Sequence, residues 1–117
     1  MNKQEKLRTR YLQDPVPIRL GGLAANLGRA GKFSKHEGHR EVVYDILQES
    51  KWFIEWTAAE LEDLERAAEL MRLQILLAFW QIQSVDKWDD SDWRSEFGRQ
   101  AQQWSQRILE FSGLLTS

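Results

Sequence analysis

Apolar residues occupy nearly every side of the segment from Leu70 to Ile82, and they form two stripes when placed on a helix. A helix that is apolar all round has to be enclosed by other helices or by another copy of the protein. The first stripe, called the heptad stripe below, alternates steps of three and four residues, which is typical of left-handed helix packing. Its members are Leu61, Leu64, Ala68, Met71, Ile75, Ala78, Ile82 and Val85. The second, called the Leu70 stripe, lies almost opposite and consists of Leu70, Leu73, Leu77 and Trp80.

The two stripes predict different contacts. We expect the heptad stripe to pack inside the chain's own helical bundle. The Leu70 stripe then needs a second cover, either because this helix is central in the monomer or because the stripe meets another subunit. We expect it to form the interface of a homodimer, since closed symmetric pairs are the commonest soluble oligomers.

Helical periodicity along the rest of the chain predicts an all-α fold. The expected architecture is an antiparallel four-helix bundle with short loops, in which the third helix is the longest and central. The four helices run from Pro15 or Pro17 to Gly31, from Gly38 to Trp56, from Ala58 to Val85, and from Asp92 to Phe111. The inner stripe of the second helix is Val43, Ile46 or Leu47, Ser50, Phe53 and Ile54. Residues 1–117 suit one domain, with 1–13 as a flexible or docking N-terminal arm.

Helix ends are predicted from caps. Thr57 to Glu60 matches a capping box, which indicates a break between the second and third helices. The alternative is one continuous, bent helix, because no Gly or Pro intervenes. Asp89, Asp90 or Ser91 is expected to cap the last helix, and Gly31 and Gly113 are expected to end helices.

The first helix contains four glycines, Gly21, Gly22, Gly28 and Gly31. Each costs about 1 kcal/mol relative to Ala inside a helix, so we expect a neighbouring helix to approach closely there. The other reading is a phosphate-binding loop, but that motif needs a preceding strand and a following Lys-Ser/Thr pair, and neither is present.

Charge is distributed unevenly although the net charge is only −2. The first 40 residues carry nine basic and three acidic side chains, and the rest carries seven basic and fifteen acidic. One interpretation is that the basic segment lies against the acidic helices. The other is a surface for nucleic acid or another acidic partner. Its candidate residues are Arg8, Arg10, Arg19, Arg29, Lys32, Lys35 and Arg40.

Candidate chemistry is sparse. The chain has no Cys, so disulfides and thiolate metal sites are excluded. His36 and His39 are close enough in sequence to share a metal ion, but a full site needs three or four ligands. No other His and no Cys exists to complete it, so distant carboxylates would have to supply the remaining ligands. We therefore assign no metal, cofactor or catalytic residue.

Membrane insertion is not expected. The most apolar run, Ile75 to Trp80, is far shorter than the roughly 20 residues of a spanning helix. No apolar segment follows the polar N-terminus, so we expect no signal peptide and a cytoplasmic location.

Two segments resemble a family of small, uncharacterised helical proteins from cyanobacteria. They are Arg10-Tyr11-Leu12-Gln13-Asp14-Pro15-Val16-Pro17-Ile18-Arg19-Leu20-Gly21-Gly22-Leu23-Ala24-Ala25-Asn26-Leu27 and Glu49-Ser50-Lys51-Trp52-Phe53-Ile54-Glu55-Trp56-Thr57. The resemblance implies a cytoplasmic setting and no particular activity.

The functional hypothesis from the sequence is a non-enzymatic helical interaction or scaffold protein that self-associates. Binding of nucleic acid or an acidic partner through the basic first third is the alternative. A metal protein or enzyme built around His36 and His39 is the third reading.

Overall fold

The computed structural model describes residues 1–115, and this part of the chain contains five α-helices and no strand. The helices are α1 (Lys3–Tyr11), α2 (Val16–Phe33), α3 (Arg40–Ala58), α4 (Leu64–Lys87) and α5 (Ser91–Phe111). A single 3-10 turn, Glu37–His39, precedes α3. The all-α prediction is confirmed, but the described chain has five α-helices where four were expected.

The additional helix is α1, which forms from the segment predicted to be an arm. The Asn2 side chain caps it by accepting a hydrogen bond from the backbone N–H of Glu5 at 2.8 Å. Tyr11 at its end is buried and stacks on Phe53 of α3, with ring centroids 4.0 Å apart. The arm is therefore docked through an aromatic anchor.

The α3–α4 connection lies a few residues later than the sequence indicated. Thr57 is buried inside α3, and its hydroxyl donates to the Tyr11 hydroxyl at 3.3 Å. The predicted capping box is therefore wrong, because this side chain is used for a contact between helices. Asp63 caps α4 instead, accepting from the N–H groups of Glu65 and Arg66 at 2.9 and 3.3 Å.

Two of the four glycines of α2, Gly28 and Gly31, allow α5 to come close, as the sequence predicted, whereas Gly21 and Gly22 have Leu114 and Tyr11 as their nearest neighbours. A Cβ atom at Gly31 would lie 2.9 Å from Nε2 of Gln102 and 3.2 Å from the carbonyl oxygen of Gly98. Ser105 also donates to the carbonyl oxygen of Ala24 at 2.7 Å. Gly31 does not end its helix, which continues to Phe33, because this glycine serves interhelical packing rather than a left-handed turn.

Other predicted helix ends are confirmed. Asp90 caps α5 by accepting from the N–H groups of Asp92 and Trp93. Gly113 follows the end of α5 with a φ of 94°, a left-handed conformation that suits a residue without a Cβ.

The hydrophobic core lies between α2, α3, α4 and α5, and α2 makes its main contacts with α5 and α3. Leu23 and Leu27 of α2, Leu47 of α3 and Ile108 of α5 are completely or almost completely buried there. The longest helix is α4, as expected, but it packs mainly on α3 and leaves one face open. The prediction that it is central is therefore wrong.

Candidate interaction surfaces

The Leu70 stripe belongs to the core of the monomer. Leu70, Leu73 and Leu77 have no exposed surface, and Trp80 is 3% exposed. Trp80 packs edge-on against Phe97 of α5, with ring centroids 4.8 Å apart. The prediction that these four residues form a dimer interface is wrong, because the chain's own α3 and α5 already cover them.

The heptad stripe is the one that faces solvent. Five of its large members, Leu64, Met71, Ile75, Ile82 and Val85, are between 50% and 81% exposed, whereas Leu61 is partly buried against the core. Phe79 widens the stripe and is 53% exposed. The roles assigned to the two stripes are therefore reversed.

Two buried polar residues explain why the sequence analysis exchanged the roles of the two stripes. The Leu70 stripe continues through Gln81 and Ser84, which are 4% and 1% exposed and look like surface positions in a hydrophobicity pattern. The Ser84 hydroxyl donates to the carbonyl oxygen of Gln81 at 2.8 Å. The Gln81 amide in turn bonds to Lys51 and to the carbonyl oxygen of Tyr44. Because these groups are satisfied, they can be buried at little cost.

The two edges of the exposed stripe differ in charge. With Ala68, Ile75 and Ile82 at heptad position a, one flanking edge (position e) carries charged side chains around Phe79, and the other (position g) carries none. The e edge consists of Glu65, Arg72, Phe79 and Asp86. The g edge consists of Ala67, Gln74 and Gln81, and it borders α3, where Gln81 is buried. Arg72 is the basic residue of the e edge, and it bonds to Glu69 of its own helix at 2.9 Å.

The seven basic residues of the alternative, basic surface are divided among several parts of the fold. Arg19 is 7% exposed; its Nε donates to the carbonyl oxygen of Asp14 at 2.7 Å, and its guanidinium forms an ion pair with Glu60. This arginine ties α2 to its neighbouring turns, so it is structural. Arg29 bonds to the side chain of Asn26 on its own helix. Arg8 and Arg10 lie on α1, while Arg40 begins α3.

Lys32 and Lys35 line a cavity between the end of α2 and the first half of α5. The cavity has a volume of about 660 Å³. Its lining contains four basic side chains, three serines and no carboxylate; the charged members are Lys32, Lys35, Arg94 and Arg99. Neither lysine forms an ion pair with any described residue.

The two arginines of the cavity have different partners. Arg99 pairs with Glu96, and hydrogen bonds from Arg99 and Gln100 lower the pKa of the Glu96 carboxyl to about 2. The charge of Arg99 is therefore balanced at neutral pH. Arg94 donates only to the carbonyl oxygen of Trp88, at 2.5 Å, and its Nε is buried with no hydrogen-bond partner among the described residues.

Sequence reasoning did not place Arg94 at a site. Its sequence separation from Lys32 and Lys35 is large, and no motif connects them. The close packing of α2 on α5 at Gly31 and Gly98 brings them together. The small residues of α2 predicted a close approach, and Gly98, the single glycine within α5, was the signal that could have located it, but the sequence analysis did not connect the two.

His36 and His39 face each other, with ring centroids 4.6 Å apart. The Nδ1 atom of His36 accepts from the N–H of Gly38 at 3.0 Å, and Nδ1 of His39 lies 3.2 Å from the carbonyl oxygen of Phe33. Within residues 1–115, no cluster of three or more His, Cys, Asp or Glu side chains is arranged to hold a metal ion. Both side chains contact the backbone of the segment that leads into α3.

Comparison with known proteins adds no functional assignment. No protein-family model matches the chain, and no curated protein or solved structure is significantly similar to it. The resemblance of two segments to a cyanobacterial family stays a prediction. None of the helices described between residues 1 and 115 combines the length and the apolar character needed to cross a membrane.

Proposed function

We propose that this protein is a non-enzymatic interaction protein that self-associates through the exposed heptad stripe of α4. The observation that carries the proposal is the exposure of large apolar side chains at regular heptad positions from Leu64 to Val85. Exposed apolar side chains scattered singly are ordinary, but a continuous face usually marks an interaction site.

The dimensions of the stripe suit a second helix. From Leu64 to Val85 it spans about 32 Å at 1.5 Å per residue. Alternating steps of three and four residues let side chains of one helix enter the holes of another, provided that the partner has the same period. A second copy of α4 has that period, which makes a homodimer the simplest occupant.

The charged e edge favours an antiparallel pair. In a two-fold symmetric antiparallel dimer, each edge faces the equivalent edge of the other copy. Arg72 can then lie opposite Asp86 of the partner subunit, with the two Phe79 side chains meeting near the axis. In a parallel pair, the charged edge would face the neutral g edge and gain no such ion pair.

We further propose that α2, α3, α4 and α5 form an antiparallel four-helix bundle to which α1 is added. The hydrogen bonds between helices support this arrangement. Along each pair of helices, the residue number of the bonded residue falls on one helix as it rises on the other. Gln102 and Ser105 of α5 donate to the carbonyl oxygens of Gly28 and Ala24 respectively. Between α4 and α5, the bonded pairs are Gln83 with Trp93 and Glu69 with Arg107. A cytoplasmic setting is also part of the proposal, supported by the lack of Cys.

The test is solution mass by sedimentation for the wild type, Ile75→Glu and Ile18→Glu. Ile75 is 72% exposed on the stripe, whereas Ile18 is 46% exposed on α2, so each variant adds one charge at an exposed apolar position. We expect the wild type and Ile18→Glu to be dimers. We expect Ile75→Glu to be a monomer with an unchanged circular dichroism spectrum. A wild-type protein that sediments as a monomer up to about 100 µM, or a dimeric Ile75→Glu variant, would overturn the proposal.

A further inference from the structure

The cavity between α2 and α5 carries a second inference, independent of self-association. None of the exposed α4 residues lines this cavity. Its volume, about 660 Å³, falls in the range of small-molecule sites, and one side of the cavity is open to solvent. A molecule larger than one inorganic anion therefore has room to bind there.

The polar lining indicates which chemistry such a molecule has. Lys32, Lys35 and Arg94 supply positive charge that no acidic side chain in the lining balances. The hydroxyls of Ser91 and Ser95 add hydrogen-bonding groups on the α5 side. Ammonium and guanidinium groups beside hydroxyls are the donors that phosphate oxygens prefer.

Arg94 supplies the most specific part of the argument. Its side chain is held by the bond to the Trp88 carbonyl oxygen and by the Trp88 ring, whose centroid lies 5.9 Å from Cζ. The bond and the ring contact thus fix the guanidinium in position at the cavity wall. A positioned guanidinium loses little entropy when it binds an anion.

Helix-end electrostatics alone do not explain the arrangement. Lys32 lies in the last turn of α2, where the helix dipole stabilises a cation. Arg94 lies in the first turns of α5, where the helix dipole destabilises a cation. The N–H groups of Asp92 and Trp93 are already bonded to Asp90, so the side chains rather than the helix terminus provide the donors. We infer that this cavity binds a phosphorylated small molecule through Lys32, Lys35 and Arg94.

The experiment measures binding of pyrophosphate and of ADP by calorimetry at low salt. The test variant is Lys32→Gln/Lys35→Gln, and the matched control is Lys3→Gln/Lys6→Gln, which removes the same charge from α1. We expect each probe to bind the wild type and the control variant with affinities that differ by no more than about twofold. We expect its affinity for the test variant to be lower by roughly tenfold or more. Circular dichroism verifies that both variants remain folded.

Three results would overturn the inference. The first is no binding of either probe to the wild type up to about 10 mM. The second is an equal loss of affinity in the two double variants, which would indicate a general charge effect. The third is a single-stranded oligonucleotide that binds while pyrophosphate and ADP do not, which would assign the lysines to a nucleic-acid surface.

Discussion

The Tyr11 hydroxyl donates a hydrogen bond to the carbonyl oxygen of Arg19 at 2.9 Å, and this bond joins the end of α1 to α2. The same hydroxyl accepts from Thr57 of α3 at 3.3 Å. One buried group therefore connects three helices. The polar N-terminal segment, which has few apolar side chains of its own, is held in the fold largely through this residue.

Replacing Tyr11 with Phe should destabilise the protein without changing its helices. The ring still stacks on Phe53, but the Arg19 carbonyl oxygen loses its bond from outside the helix and the Thr57 hydroxyl loses its acceptor. Losing buried hydrogen bonds of this kind costs about 1–3 kcal/mol. Chemical denaturation at neutral pH measures the difference, and an unchanged free energy of unfolding would show that water replaces the lost bonds.

The same residue predicts a loss of stability at alkaline pH. Burial raises the pKa of the Tyr11 hydroxyl to about 12, from an ordinary value of 10.0. Below pH 10 the hydroxyl is protonated in both states, and its contribution to stability is complete. Between about pH 10 and pH 12 it ionises in the unfolded chain first, so the folded state loses up to roughly 2–3 kcal/mol.

Tyr11→Phe is the control for this pH dependence, because it lacks the ionisable group. We expect the stability difference between wild type and variant to shrink as pH rises through this range. If both proteins lose stability in parallel, the hydroxyl is not the group responsible.

Two glycines of α2 should respond oppositely to alanine. A Cβ at Gly22 would meet its nearest neighbour, a ring carbon of Tyr11, at 4.0 Å, so Gly22→Ala should raise stability by about 0.5–1 kcal/mol through helix propensity. At Gly31 the same atom would displace the Gln102 amide, which donates to Gly28, and would press on the backbone at Gly98.

We therefore expect Gly31→Ala to be less stable than Gly22→Ala by roughly 1–2 kcal/mol. Thermal denaturation of the two single variants tests this order. Equal stabilisation by both changes would mean that α5 can move away from α2 without cost.

Local signals in the sequence were reliable where one side chain decides the outcome. The cap of α5 was narrowed to Asp89, Asp90 or Ser91, and the Gly113 turn was found, because capping and glycine turns depend on a few adjacent residues. The buried stripe of α3, from Val43 to Ile54, was found because its opposite face is polar. Thr57 misled the prediction because a hydroxyl that caps a helix can equally bond to Tyr11 in a core.

It was harder to predict from the sequence which faces of the helices contact each other. On α4 both faces are apolar, so periodicity identified two stripes but contained no information on which one meets α3. The polar Gln81 and Ser84 made the core stripe look short, although neighbouring groups satisfy both side chains. The cavity depends on the position at which α2 crosses α5. Gly98 marks that position on α5, but nothing in the sequence pairs it with Gly31 of α2.

The exposed face of α4 also allows a test of the register of the proposed dimer. Arg72→Glu should weaken association roughly tenfold, because it replaces two ion pairs with Asp86 of the partner subunit by like charges. Asp86→Arg should weaken it similarly, by the same repulsion between two arginines. Combining both substitutions restores opposite charges and should recover an affinity close to that of the wild type. Sedimentation equilibrium of the four proteins measures the coupling between the two residues. If the free energies of association lost in the two single variants add up in the double variant, the two residues do not meet. That result would exclude this antiparallel register.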